Sequence, residues 1–196
     1  MANLIKLRKG LDIKLEGAAI ETKVEIGKAK EYALQPDDFT GVVPKVVVRE
    51  GDRVKAGEPL FVDKNCPDVR FASPVSGEVT EVVRGDRRKV LCVKVKADAE
   101  QEYAEFGKKD VSALSGDEVK QALLEAGLFG YINQLPYAVA TNPTTAPKAI
   151  FVSALRDMPL AGKFEYELQG NEEAFQAGLT ALSKWPRLIW ALACFR

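Results

Sequence analysis

The stretch VVVREGDRVKAGEPL, residues 46–60, decides how the first half of this chain folds. A run of valines is followed by the pair Gly51-Asp52, a short basic continuation and a second break at residues 57–59. Runs of this kind predict short strands joined by tight turns, because β-branched residues favour extended backbone and glycine tolerates positive φ. Residues 42–96 keep this character, so we expect a β-rich module there.

A second stretch, EVVRGDRRK at residues 81–89, echoes residues 46–55. Each copy combines a strand pattern, a Gly-Asp turn and a basic continuation. Two such units about 34 residues apart predict two similar hairpin layers packed face to face. After the second copy, valines 93 and 95 alternate with lysines 94 and 96. This alternation predicts a half-buried strand over residues 89–96, with the lysines facing water.

The second half of the chain has helical signals. Residues 98–110 are polar and predict a linker or a weak helix. The SGDE pattern at residues 115–118 is typical of a capping box, and Gly127 stands where a left-handed helix cap belongs. The inward face of this helix is expected to hold Val119, Ala122, Leu123 and Ala126.

A strand and another helix are expected to follow. The apolar run AIFV at residues 149–152 predicts a strand buried on both faces. Residues 171–183 predict a helix whose inward residues are Ala174, Phe175, Gly178, Leu179 and Leu182. Helix, buried strand and helix in this order indicate the start of an α/β domain.

The fold class we expect is therefore α+β, with a β-rich module ahead of a partial α/β domain. The expected divisions are an N-terminal segment (1–40), the β module (41–97), the partial α/β domain (98–184) and a tail (185–196). The tail has two tryptophans and almost no polar surface, so we expect a truncated or non-native terminus.

Composition excludes several classes of function. The 28 Lys and Arg residues balance the 28 Asp and Glu residues, which argues against a nucleic-acid binder. The chain has no histidine, so Ser-His-Asp catalysis and His-based zinc sites are excluded. Its 3 cysteines lie far apart, which indicates reduced thiols rather than an Fe–S site. The start lacks a signal-peptide core, and no apolar run is long enough to span a bilayer.

The β module resembles lipoyl and biotinyl carrier domains, which are flattened barrel-sandwich folds. The matching residues are 49–60, Asp63-Lys64 and 72–79. Carrier domains attach their cofactor to a lysine at a hairpin tip, so the resemblance makes Lys64 a candidate attachment site. Residues 65–68 (NCPD) interrupt the strand that follows such a tip in carriers, and a solvated turn lysine is the other interpretation.

The chain up to about residue 184 resembles the NqrA subunit of the sodium-translocating NADH:quinone oxidoreductase. The matching segments run in the same order in both: IKLRKGLDI (5–13), VREGDRVKAG (48–57), FVDKN (61–65), FASPVSGEV (71–79), RGDRR (84–88), AIFVSA (149–154) and DMPLA (157–161). The resemblance implies a peripheral subunit on the cytoplasmic face of a bacterial inner membrane, with the other subunits of that complex as partners. It also implies an α/β domain like the flavin-binding subunit of respiratory complex I.

In that complex I relative, a glycine-rich loop binds flavin and NADH. The corresponding residues here, 126–137, carry bulky aromatic side chains, so we expect no flavin, NADH, Fe–S or metal site and no catalytic residue in this chain. NAD and flavin would belong to other subunits. An apolar, aromatic loop suits a quinone instead. The candidate quinone-binding residues are Phe129, Tyr131, Asn133, Gln134 and Tyr137, with Leu34 and Phe39 from a second loop.

Three functions remain open on the sequence. The chain is a respiratory-complex subunit for assembly and quinone handling, a lipoyl- or biotin-type carrier, or a protein-interaction scaffold that binds no small molecule. The basic turn formed by Arg84, Arg87, Arg88 and Lys89 has two functional interpretations, contact with an acidic partner loop or with anionic lipid headgroups, and one structural interpretation, a solvated turn.

Overall fold

The computed structural model describes residues 15–17, 19–154, 158, 160–184 and 188–191. The strands are β1 (Glu31–Leu34), β2 (Pro44–Val46), β3 (Arg53–Val54), β4 (Pro59–Asp63), β5 (Arg70–Ala72), β6 (Gly77–Arg84), β7 (Val90–Ala97), β8 (Asn133–Gln134), β9 (Val139–Ala140), β10 (Ile150–Ser153) and β11 (Leu188–Ala191). The α-helices are α1 (Gly116–Glu125), α2 (Phe164–Leu168) and α3 (Glu172–Leu182). Short 3-10 turns occupy Pro36–Asp38, Asp86–Arg88, Val111–Ala113 and Phe129–Tyr131.

Two antiparallel sheets form the barrel-sandwich module. One has the order β1-β7-β6-β3 and the other the order β2-β4-β5. Both contribute to one apolar core, in which Leu60 and Phe61 of β4 meet Val79 of β6 and Val93 of β7, all four fully buried. The expected fold class, a β-rich barrel-sandwich module followed by α/β structure, is confirmed.

The echoing stretches have the same local shape but different partners. Residues 81–89 lie in a true hairpin, since β6 pairs with β7 around Gly85. In residues 46–55 the strands on either side of the turn separate: β2 pairs with β4 in one sheet, and β3 pairs with β6 in the other. The expectation of two equivalent hairpins is therefore wrong for the first copy, because a tight turn also lets the chain pass from one sheet to the next.

Strand β7 follows the predicted alternation. Val93 and Val95 are fully buried, whereas Lys96 is exposed and Lys94 reaches out to Glu81 on β6. The Nζ of Lys94 lies 2.8 Å from the Glu81 carboxylate, and this hydrogen bond raises the pKa of the lysine above its ordinary value. On its other edge β7 pairs with β1, so the sheet includes a strand from before residue 41.

The polar residues 98–110 do not form a helix; they run extended along the barrel. Gln101 accepts a hydrogen bond from the Ser76 backbone N–H (2.8 Å) and donates to the carbonyls of Ser76 and Asp98. The buried Ser76 hydroxyl accepts from the Glu102 N–H at 2.9 Å. A bridge between Ala56 and Tyr103 adds backbone pairing. The segment after the barrel is therefore held on its surface.

Helix α1 begins at the predicted capping box. The Glu118 N–H donates to the Ser115 hydroxyl at 3.3 Å, and the Ser115 N–H donates to the Glu118 carboxylate at 2.8 Å. These bonds satisfy backbone groups that the first turn leaves free. The helix ends at Gly127, whose φ of +70° is the predicted left-handed cap. Val119 is buried as expected, and so is Leu124, which the predicted inward face did not include.

The remaining part is an incomplete α/β layer within the described residues. Strands β10 and β11 pair in parallel, so the segment expected to be a non-native tail contributes a strand at Leu188–Ala191. The predicted strand at β10 is confirmed, but its burial on both faces is wrong: Ile150 is buried, whereas Phe151 is 65% exposed. A two-stranded sheet leaves one face uncovered, and this explains the exposure.

Helix α3 lies where the sequence predicts it, and the short α2 before it was missed. Phe175, Leu179 and Leu182 are half-buried, with Phe175 packed edge-on against Phe164 of α2. Ala174 and Gly178 are exposed, contrary to the predicted inward face. The apolar face is narrower than the pattern indicates, because α2 is only 5 residues long and covers little of α3.

Candidate functional site at the domain junction

The candidate site is the aromatic segment that follows α1. After the cap at Gly127 the chain makes a 3-10 turn over Phe129–Tyr131 and then forms the small β8–β9 hairpin, whose turn spans residues 135–138. The Ala140 N–H donates to the Thr40 carbonyl at 2.9 Å, which ties the hairpin to the loop after β1. The two loops that carry the predicted quinone-binding residues therefore meet.

Aromatic rings from both parts of the chain form a continuous cluster. Phe39 lies 4.3 Å from Phe71 and 6.3 Å from Phe61, measured between ring centroids. Phe61 stacks on Phe71 at 4.8 Å. Tyr131 extends the cluster to the surface, with its ring edge-on to Phe39 at 5.2 Å. Such offset and edge-on pairs are favourable beyond the area that they bury.

Two glycines allow the segment to lie close to strand β5. A Cβ on Gly127 would come within 2.9 Å of the Ala72 Cβ, and a Cβ on Gly130 would come within 2.4 Å of the Phe71 ring. Contact with the barrel therefore occupies the open side of each glycine. In a phosphate-binding loop that side must remain free for the ligand.

The predicted quinone-binding residues separate into two groups. Phe129 (3% exposed) and Phe39 are buried in the core, and Leu34 packs partly against it. The other four have exposed side chains: Tyr131 (60%), Asn133, Gln134 and Tyr137 (77%). The structure brings Phe39 and Tyr131 into contact and places Asn133 and Gln134 on β8.

Two exposed leucines in the same segment were missed as candidates. Leu128 is 52% exposed and Leu135 is 65% exposed. With Tyr131 and Tyr137 they form what we call the junction patch: Leu128, Tyr131, Leu135 and Tyr137. A sequence signal was present, since Leu135 precedes Pro136 in a loop, where an apolar side chain has no helix or strand face to bury it. Large exposed apolar patches mark binding surfaces.

Lys64, the candidate carrier lysine, lies between the paired strands β4 and β5 and is exposed. Its N–H donates to the Val43 carbonyl at 2.7 Å, and the carboxylate of Asp63 accepts from the N–H groups of Val43 and Asn65. The turn that carries Lys64 is therefore fastened to the strand β2 side of the barrel.

The described surface also has two small clefts. One, of about 100 Å³, is lined by Asp68, Arg70 and α1 residues, and the other, of about 170 Å³, lies between the barrel and residues 98–102. Both are smaller than the several hundred Å³ typical of a small-molecule site. In the described part of the chain, no group of His, Cys, Asp and Glu side chains is arranged to hold a metal ion.

The helix that leads into the junction patch is electrostatically anchored at its start. Hydrogen bonds to Glu118 from the Ser115 backbone, and secondarily from the Ser115 hydroxyl, hold the pKa of the Glu118 carboxyl below its ordinary value. An ionised carboxylate there also suits the positive end of the helix dipole. Of the helices in the described residues, none is long and apolar enough to cross a bilayer.

The fold defines a two-part protein: a barrel-sandwich module and an α/β layer that share a core across an aromatic junction. Comparisons with known proteins agree with this class. The family model of the NqrA N-terminal barrel-sandwich hybrid domain matches residues 5–98, and that of the NqrA second alpha/beta domain matches residues 114–192.

Similar curated proteins are all named as the NqrA subunit of a Na(+)-translocating NADH-quinone reductase. The chain is 33% identical to that of Yersinia pseudotuberculosis over 183 residues, 92% of this chain and 41% of the relative. It is 34% identical to that of Pseudomonas aeruginosa over 189 residues (95% and 42%) and 35% identical to that of Tolumonas auensis over 184 residues (92% and 41%).

The chain belongs to the NqrA family, as the resemblance in its sequence predicts. It spans about two fifths of the length of the curated relatives that it matches.

Proposed function

We propose that this chain serves as part of a subunit of a bacterial Na⁺-translocating NADH:quinone reductase, where it contributes to assembly and to quinone binding. The observation that carries the proposal is the match of two consecutive NqrA domain families, in order, over residues 5–98 and 114–192. Its partners would be the other subunits of that complex. It would lie at the cytoplasmic face of the inner membrane, attached through those partners.

The membership of the complex can be tested by purification from native membranes. The tagged chain is expressed in its source bacterium, the membranes are solubilised in mild detergent, and the copurifying proteins are identified by mass spectrometry. We expect the membrane subunits of the reductase in stoichiometric amounts. Recovery of the chain alone, or with unrelated proteins, contradicts the proposal.

The junction patch is the surface proposed to meet quinone. Exposed Tyr131 and Tyr137 offer rings for edge or stacking contact, and the side-chain amides of Asn133 and Gln134 offer donors for a quinone carbonyl. Leu128 and Leu135 give apolar surface for the isoprenoid tail. Phe39 and Phe129 are committed to the core, so they would support Tyr131 and the hairpin from below rather than touch the ligand.

A soluble short-chain quinone titrated by calorimetry tests this assignment. Tyr137→Ala is expected to weaken binding about tenfold, which corresponds to the loss of one good aromatic contact. Tyr103→Ala is the matched control, because Tyr103 is comparably exposed at 69% but lies on the segment beside Ala56. Equal affinity of wild type and Tyr137→Ala, or equal loss in the control, removes the assignment to this patch.

Flavin and NADH are proposed to bind to other subunits. The residues of the junction do not fit a nucleotide phosphate, because Gly127 and Gly130 turn their open sides to Ala72 and Phe71. Phe129, which lies between these glycines in sequence, is a buried core side chain. The ultraviolet–visible spectrum of the purified chain checks this. A stoichiometric flavin band contradicts it.

The carrier function is the alternative that one observation favours: Lys64 is exposed in the connection between two paired strands, as a carrier lysine must be. Against it, the turn is fastened to Val43, and residues 98–104 are held on the barrel instead of forming a free swinging linker. Intact mass spectrometry of natively expressed protein decides between them. A lipoyl or biotinyl adduct on Lys64 would establish the carrier.

A further inference from the structure

The β6–β7 hairpin ends in a basic tip, residues 84–89, that the proposed function does not use. The side chains of Arg84, Arg87 and Arg88 are exposed, and the Arg84 Nη1 lies 3.4 Å from the Arg88 carbonyl oxygen. The hairpin therefore presents three guanidinium groups within one turn of backbone. The acidic residue in this turn is Asp86.

The three arginines are free to bind an external anion. Across the described residues, none of them forms an ion pair, whereas the neighbouring Lys89 is paired with Asp37 at 2.7 Å. Arg87 and Arg88 also adopt left-handed backbone, with φ of +53° and +61°. This conformation is unfavourable for residues other than glycine, so the turn holds two large cations at a conformational cost.

An apolar side chain lies directly beside these cations. A Cβ on Gly85 would lie 3.2 Å from the Leu91 Cδ1, so Leu91 packs over the base of the turn. It nevertheless remains 40% exposed. Cationic side chains next to exposed apolar surface are the combination found in elements that lie at a lipid headgroup layer.

We infer that the basic tip binds the phosphate groups of anionic phospholipids. Arginine donates paired hydrogen bonds to a phosphate, and three guanidinium groups in one turn suffice for one or two headgroups. An acidic protein is the less suitable occupant, because a stable protein interface buries roughly 800 Å² on each partner, far more than a hairpin tip of this size offers. The inference rests on the proposed function in one respect, since a subunit of a membrane complex lies close to a bilayer.

The test is sedimentation of the whole chain with vesicles of about 30% phosphatidylglycerol in phosphatidylcholine, against vesicles of phosphatidylcholine alone. The triple variant Arg84→Gln, Arg87→Gln, Arg88→Gln removes the charges and keeps polar, hydrogen-bonding side chains. The control removes three exposed lysines elsewhere: Lys108→Gln, Lys109→Gln, Lys148→Gln. Circular dichroism verifies that both variants are folded.

We expect wild type and control to bind the anionic vesicles, with the arginine variant weakened by about 100-fold, since each basic side chain near an anionic surface is worth roughly fivefold. In about 1 M salt the wild type should lose this binding, because the Debye length falls to about 3 Å. No preference for anionic vesicles, or equal losses in both variants, overturns the inference.

The inference is also overturned if the arginine variant binds vesicles normally but no longer copurifies with the reductase, which would assign the tip to a protein partner. Failure of copurification by the wild type counts against the proposed function instead.

Discussion

Replacing Gly130 by alanine should test directly how tightly the junction segment packs on the barrel. The new methyl carbon would lie 2.4 and 2.8 Å from two ring carbons of Phe71. Real Cβ atoms do not approach carbon so closely, and the Phe71 ring has no free direction, because Phe39 and Phe61 lie against it at 4.3 and 4.8 Å. Either the 3-10 turn lifts from β5 or the buried ring leaves its position.

The expected cost is about 2 kcal/mol in the free energy of unfolding. Overpacking a tight core costs roughly 1–3 kcal/mol, offset by several tenths because alanine has less freedom than glycine in the unfolded chain. For a chain of this length, such a loss lowers the Tm by about 4–8 °C. Urea denaturation followed by circular dichroism measures the free energy, and calorimetry measures the Tm.

Gly178→Ala is the matched control. Gly178 lies inside helix α3, is exposed, and would have no heavy atom within 4 Å of the added methyl group. The same substitution should therefore raise stability there by about 0.5–1 kcal/mol, the difference in helix propensity. If Gly130→Ala is as stable as wild type within about 0.5 kcal/mol, the close contact with Phe71 is not what this glycine is needed for.

Three further substitutions separate anchoring from binding. Ser115→Ala should cost about 1 kcal/mol through loss of the helix cap, measured by urea denaturation. Because the bonds from Ser115 lower the pKa of Glu118, their contribution is present at neutral pH and is lost as the pH falls through the folded pKa, so wild type and variant should converge in stability in acid. Gln101→Ala removes the acceptor of the Ser76 N–H and should cost about 1–3 kcal/mol, with faster tryptic cleavage within residues 98–110; unchanged protection would show that the segment is held by other contacts. Tyr137→Ala should change stability by less than about 0.5 kcal/mol while weakening quinone binding, and a large loss of stability would instead make Tyr137 a packing residue.

Within the candidate site, the sequence identified the aromatic residues but not their separate roles. Phe129 and Tyr131 are two positions apart in one 3-10 turn, yet Phe129 is buried and Tyr131 is 60% exposed. The difference arises because one face of the turn meets β5 of the barrel, which is distant in sequence. Nothing in the local pattern of a three-residue turn specifies that contact.

Short-range signals were sufficient for the elements whose causes lie within a few residues. The capping box at Ser115 and Glu118, the left-handed Gly127 and the alternation that buries Val93 and Val95 all depend on neighbours along the chain. Tertiary structure alone decided which sheet each strand enters, that β1 extends the β6–β7 sheet, and that Phe151 stays exposed. Strand pairing and burial depend on contacts between distant residues, and the same local pattern can satisfy several of them.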